Sequence, residues 1–286
     1  MRWRDGRRSG NIEDRRGLGP VGAVGGLGLG GVVIVLIGVF VFGIDPGEMM
    51  GLVSQTAPTS QQQQQPGVRG SPTDEAAAFV DTIESSTTAV WRRRFARAGE
   101  RYEPVAAVVL YDAATATGCG TGQAAMGPFY CPADRKVYLD LAFWTELETR
   151  FGAGGDFARA YVIAHEIGHH VQTLTGSMDA ARRLGARGAE SGAVRLELQA
   201  DCYAGVWASR VEHDTQGRVA MDKGDIEEGM AAASAVGDDT LQRRAGGRIV
   251  PDAFTHGTAE QRVRWFSTGY TTGDPGKCDT LKAEVL

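Results

Sequence analysis

The sequence predicts an α+β domain standing behind a single N-terminal transmembrane helix, on three observations. Residues 17–44 carry no charge and include an almost unbroken Val, Ile, Leu and Phe run at 32–42, long enough to cross a bilayer as a helix. Two short apolar runs, 105–111 and 137–139, read as strands. Several longer stretches repeat apolar residues every three to four positions and read as helices.

Residues 1–16 hold six arginines (Arg2, Arg4, Arg7, Arg8, Arg15 and Arg16) against Asp5, Glu13 and Asp14. A basic head ahead of an apolar run is expected to stay in the cytoplasm, which places everything after Asp45 outside as a single-pass protein of the cell membrane. The apolar run exceeds an ordinary signal-peptide core, and no small-x-small cleavage site follows it. Residues 45–73 turn to Gly, Pro and Ser with five glutamines at 61–65 and no apolar period, the composition of a flexible linker. Residues 74–286 are then the folded domain, with length enough for one sizeable core. A net charge of −5 carries no nucleic-acid footprint.

Within that domain, 75–95 reads as a helix burying Ala78, Phe79, Ile83, Val90 and Trp91, with Arg92, Arg93 and Arg94 on its solvated face. Residues 156–175 form the stretch with the most chemistry. Asp156 follows two glycines and can cap a helix start, and Gly176 stands where helices stop. Ala160, Ile163, Ala164, Ile167, Val171 and Leu174 make a core-facing stripe. His165 and His169 fall about 40° apart on another face, one turn from each other. That spacing lets two imidazoles converge on one metal ion, with Glu166 beside its open side as a proton acceptor, the arrangement of the H-E-x-x-H signature. His170 points about 100° away from His169 and reads as structural.

A third ligand is expected in a second helix at 194–211. Glu197 and Asp201 share a face there: Glu197 can close a His2Glu site, and Asp201 can accept the free N–H of a ligand histidine. The competing reading is a solvated acidic face, which like-charge repulsion at i,i+4 disfavours. Residues 176–192, rich in glycine, connect the two helices around a short helical piece. A helix is expected at 225–236, followed by Asp238 and Asp239 as a turn or cap in preference to a calcium site. Thr258 and Gln261 have capping-box spacing, so another helix starts there and carries Val263, Trp265 and Phe266 inward.

Four segments, CGTGQAAMGPFYCPADRKVYLD, GDFARAYVIAHEIGHHVQ, ELQADCYAGVW and FTHGTAEQRVRWF, resemble the bacterial neutral zinc metallopeptidases. More distantly they are similar to gluzincin-type membrane proteases that pair HExxH with ExxAD. The resemblance implies a zincin-like fold, a Zn2+ ion on His165, His169 and Glu197, and Glu166 as catalytic base acting on a peptide or protein substrate. It implies a sheet edge over the active-site helix that pairs with extended substrate, supplied by either predicted strand. It also implies that His256, in the loop before the Thr258 helix, stabilises the tetrahedral intermediate, with Arg262 as a helper or an ion-pair partner. Gly257 departs from the distant family, which usually has proline there.

Cys119, Cys131, Cys202 and Cys278 are an even set in a segment expected outside the cytoplasm, where disulfides form. Cys119 and Cys131 bracket a short Gly-rich loop and are expected to pair, leaving Cys202 with Cys278. A cysteine-ligated zinc is the alternative, without a C-x-x-C pair to support it. Two other functions stay open: a metallohydrolase acting on a non-peptide amide of the cell envelope, and a non-catalytic, zinc-stabilised binding domain.

Overall fold

A computed structural model describes residues 1–18 and 67–286. Its main sheet has five strands in the order β2-β1-β3-β7-β6, built from β1 (Ile12–Asp14), β2 (Val68–Gly70), β3 (Ala107–Tyr111), β6 (Phe129–Cys131) and β7 (Lys136–Asp140). β1 and β7 flank β3 in parallel, while the two outer strands run antiparallel to their neighbours. β4 (Ala114–Thr117) and β5 (Gly120–Gln123) form a separate hairpin.

The helices are α1 (Glu75–Arg97), α2 (Phe143–Thr149), α3 (Asp156–Thr175), α4 (Ser177–Ala181), α5 (Gly192–Asp214), α6 (Asp225–Ala235), α7 (Asp238–Arg244) and α8 (Ala259–Thr272). α5 is the hub, packed against α1, α3 and α8. One apolar core runs from the inner sheet face (Val108, Leu110, Val137, Leu139) through Ile163 and Ile167 of α3 to Trp207 of α5 and Phe266 of α8. The disulfides Cys119–Cys131 and Cys202–Cys278 are both formed; the second ties α5 to the C-terminal segment.

Four expectations are corrected. The basic head is not a separate unit: β1 is hydrogen-bonded between β2 and β3, and Trp3 and Ile12 are buried in the core. Its arginines are spent inside the fold, Arg15 on Glu13, Thr115 and the Ala116 carbonyl, and Arg16 on Asp14 and Asp74. The linker gives up its last residues to the edge strand β2. Both strands expected to offer an edge to substrate are interior, because β3 lies between β1 and β7, and β7 between β3 and β6. Asp156 does not cap α3. Gly155 holds the cap position at φ 107°, Glu228 of α6 accepts the Phe157 N–H at 3.1 Å, and Asp156 instead accepts from the Trp3 indole at 3.0 Å. That φ is what calls for glycine, and a Cβ there would also stand 2.1 Å from the Glu228 carboxylate and push it off the Phe157 N–H. Among the described residues no helix is long and apolar enough to cross a membrane. Beyond Gly17 and Leu18, the span expected at 17–44 lies outside them, as does the linker at 45–66.

Candidate metal centre

Two helices make the site, and a glycine lets them meet. Gly168 faces Ala200, where a Cβ would stand 3.1 Å from the Ala200 Cα, so α3 and α5 approach closely at the level of the histidines. α3 starts and stops with Asp156 and Thr175, ended by Gly176 in the left-handed conformation at φ 75°. α5 is capped by Ser191, whose hydroxyl accepts the Val194 N–H at 3.3 Å.

His165, His169 and Glu197 converge as expected. Their ligand atoms lie within 4.8 Å of one another, with His165 Nε2 3.2 Å and His169 Nε2 3.3 Å from the two Glu197 oxygens. Both Nδ1 atoms are engaged on the far side of the rings: His165 donates to Asp201 Oδ1 at 2.9 Å and His169 to Gln172 Oε1 at 2.9 Å. Each Nε2 therefore keeps its lone pair for the shared point. Two imidazoles and one carboxylate with no fourth protein ligand among the described residues fit a zinc ion that keeps an open position.

Asp201 does more than orient one histidine. Its carboxylate is fully buried and accepts from His165, from the Tyr161 hydroxyl, and from Arg262 twice, Nε at 2.8 Å and Nη2 at 3.0 Å. Burial alone would raise the Asp201 pKa, but the Arg262 and His165 charges hold it below the ordinary carboxylate range. Arg262 also reaches the Tyr161 oxygen at 3.2 Å and lies 3.9 Å from Glu197. It is a buried guanidinium between two acids, the ion-pair partner foreseen from sequence. The Glu197 pKa is likewise held low despite burial, by the two histidines and by His256.

Glu166 is buried beside the cluster, and burial pushes its pKa up while His165 and His169 pull it down. His165 goes the other way: burial disfavours its charge, yet Asp201 and Glu197 raise its pKa to about 10. Without an ion the two acids favour a proton on His165, and a metal on Nε2 would take that proton's place.

His170 is structural, as expected. Its Nε2 donates to the Glu103 carbonyl at 2.7 Å and its Nδ1 accepts from the Tyr130 hydroxyl at 3.0 Å, inside the core. His256 leaves 45% of its side chain exposed in the loop before α8, whose capping box is complete at Thr258 and Gln261. Sequence reading missed Gln172 and Tyr161. Both were within reach of helix geometry, three residues after His169 and four before His165.

The family model described as "Putative neutral zinc metallopeptidase" matches residues 1–281. The uncharacterized protein YpfJ of Escherichia coli K12 is 45% identical over 295 aligned positions covering all of both chains. The uncharacterized proteins Mb2605 of Mycobacterium bovis and Rv2575 of Mycobacterium tuberculosis are each 50% identical over 185 residues, 62% of this chain and 62% of theirs. No solved structure matches.

Proposed function

Because the chain belongs to the neutral zinc metallopeptidase family, we propose that it is a zinc-dependent endopeptidase with Glu166 as general base and His256 as the donor to the developing oxyanion. The observation that carries this reading is the convergence of His165, His169 and Glu197 on one point with Glu166 alongside. A purely structural zinc site takes four protein ligands and needs no acid next to it.

Zinc, when bound there, would polarise the scissile carbonyl and lower the pKa of water. Glu166 takes the proton of the attacking water and returns it to the leaving amine as the C–N bond breaks, one carboxyl serving as base and then as acid. His256 donates to the carbonyl oxygen as charge builds on it. Asp201 and Gln172 hold the ligand imidazoles in the tautomer that directs Nε2 inward. β6 is the strand proposed for substrate pairing, because it is an edge of the sheet next to α3 and is stapled by Cys119–Cys131.

The same proposal places the domain outside the cytoplasm, where both disulfides persist, with residues 17–44 as an apolar segment that enters the membrane and returns to the same side, not as the single crossing expected from composition. Since residues 1–16 share one sheet with 67–286, the head belongs on the outside with the domain.

The test is Glu166→Gln. Metal analysis should find near-stoichiometric zinc, while hydrolysis of a mixed peptide library falls by about 10²- to 10⁴-fold. Undiminished cleavage by the zinc-loaded variant removes Glu166 from the mechanism.

A further inference from the structure

We propose that Asp238 is the positioning residue for His256, fixing both the loop that carries it and the ring nitrogen through which it acts; this rests on the role of His256 proposed above. Asp238 is the first residue of α7, just behind Gly237, which holds the cap position and has no side chain to offer. Its carboxylate is turned onto a loop 17 to 19 residues further on. Its Oδ2 accepts three consecutive backbone N–H groups, from Thr255 at 2.8 Å, His256 at 2.7 Å and Gly257 at 3.0 Å. Its Oδ1 lies 3.2 Å from His256 Nδ1, and its own N–H donates to the Gly257 carbonyl at 2.8 Å. Asp239 continues the seam by accepting the Ala259 N–H at 2.8 Å.

Three amides on one carboxylate oxygen set the path of the loop, because the donors cannot be gathered unless the backbone curls around that atom. Gly257 is part of the curl, at φ 87° and with its N–H engaged. Proline, usual at this position in the distant family, has neither that φ nor that N–H. The device seen here therefore requires glycine.

The ring follows from the same contacts. With Nδ1 donating to Asp238, and sharing that donor with the Thr255 hydroxyl at 2.9 Å, Nε2 is the remaining nitrogen and has no hydrogen-bond partner among the described residues. Burial opposes the imidazolium of His256; of the charged groups facing it, Asp238 on α7 and Glu197 on α5 favour that form and outweigh burial and Arg262 on α8. An imidazolium carries a proton on Nε2 for an anionic oxygen, and a neutral ring protonated at Nδ1 does not. Asp238 thus turns a half-exposed histidine into a directed donor.

The experiment uses the full-length, zinc-loaded protein. Imidazole ¹H–¹⁵N titration, with the His256 resonance identified by His256→Gln, should place the wild-type pKa above the ordinary value of about 6.5 and lower it by about one unit or more in Asp238→Asn. On a peptide that the wild type cleaves, Asp238→Asn should move the basic limb of kcat/KM to lower pH by the same amount. Its kcat should drop about 10- to 100-fold with KM within threefold, and in a His256→Gln background Asp238→Asn should add little further loss. A wild-type His256 titrating at or below 6.5, a titration unmoved in a folded Asp238→Asn, or additive losses would each overturn the proposal. The wild-type arm stands even if Asp238→Asn does not fold. A wild type that cleaves nothing refutes the peptidase reading, whereas the Asp238–His256 coupling is decided by the titration.

Discussion

Glu197 and Asp201 sit one turn apart on the same face of α5 and do different work, which a pair of substitutions separates. Glu197 contributes a ligand atom, so Glu197→Ala should lose most of the bound zinc. Asp201 touches only the far side of His165, so Asp201→Asn should keep the ligand set and weaken zinc affinity or rate by about 10- to 100-fold. Normal zinc in Glu197→Ala would send the search for the third ligand elsewhere. His256→Ala should keep zinc and fold while the catalytic rate drops about 10²- to 10³-fold, the usual cost of one oxyanion donor; lost zinc would make it a ligand instead. The ligand residues were legible in the sequence because they obey helix periodicity. The groups behind them were legible only in part: Asp201 and Arg262 were singled out, but nothing in a one-dimensional pattern joins Arg262 of α8 to Tyr161 of α3 through one buried carboxylate.

At the scale of elements, the site depends on how closely three helices pass. Beyond the Gly168 contact between α3 and α5, α5 and α8 cross at glycines from both sides. A Cβ on Gly269 would lie 1.9 Å from the Cys202 carbonyl oxygen, and one on Gly205 would lie 2.1 Å from the Phe266 carbonyl oxygen. These are backbone obstacles that no rotamer change relieves. Gly269→Ala should therefore cost about 3 kcal/mol by denaturant unfolding, and zinc affinity should fall with it, since α5 carries Glu197 and Asp201 while α8 carries Arg262. An alanine variant of wild-type stability would mean that the crossing is looser than described. α1, α3, α5, α6 and α8 followed from apolar period, capping and stop signals, whereas α2 was not foreseen and α7 stands where a turn or cap was expected. The start of α3 did not follow from them, because its cap comes from Glu228 on another helix.

At the scale of the molecule, the position of the head decides the topology. Asp14 pairs with Val68, and Ile12 stands between Gly70 and Val108, so the chain leaves the sheet after β1 and rejoins it beside its point of departure. Both flanks of residues 19–66 therefore lie on one side of any membrane the protein meets. A membrane-impermeant maleimide applied to intact cells or spheroplasts should treat Asp5→Cys and Lys223→Cys alike, since both positions are exposed on the same fold. Labelling of one with protection of the other would place the head and the domain on opposite sides. The positive-inside argument reads arginine density as a flank of a membrane span, and here four of the six head arginines (Arg2, Arg4, Arg15 and Arg16) are spent on partners within the domain. Composition does not distinguish the two uses.

The sequence by itself determined the longer helices, the spacing of His165, Glu166 and His169, and the Cys119–Cys131 pair, because each rests on local spacing that a regular backbone turns directly into geometry; Cys202 with Cys278, 76 residues apart, followed only by elimination. Only the tertiary structure decided that the first sixteen residues belong to the sheet, that β6 and not β3 or β7 is the edge strand beside α3, and that Asp238 grips the His256 loop. These are contacts between residues 17 to more than 90 positions apart. They are fixed by which buried polar groups must be satisfied once the core has closed, a condition that has no period in the chain.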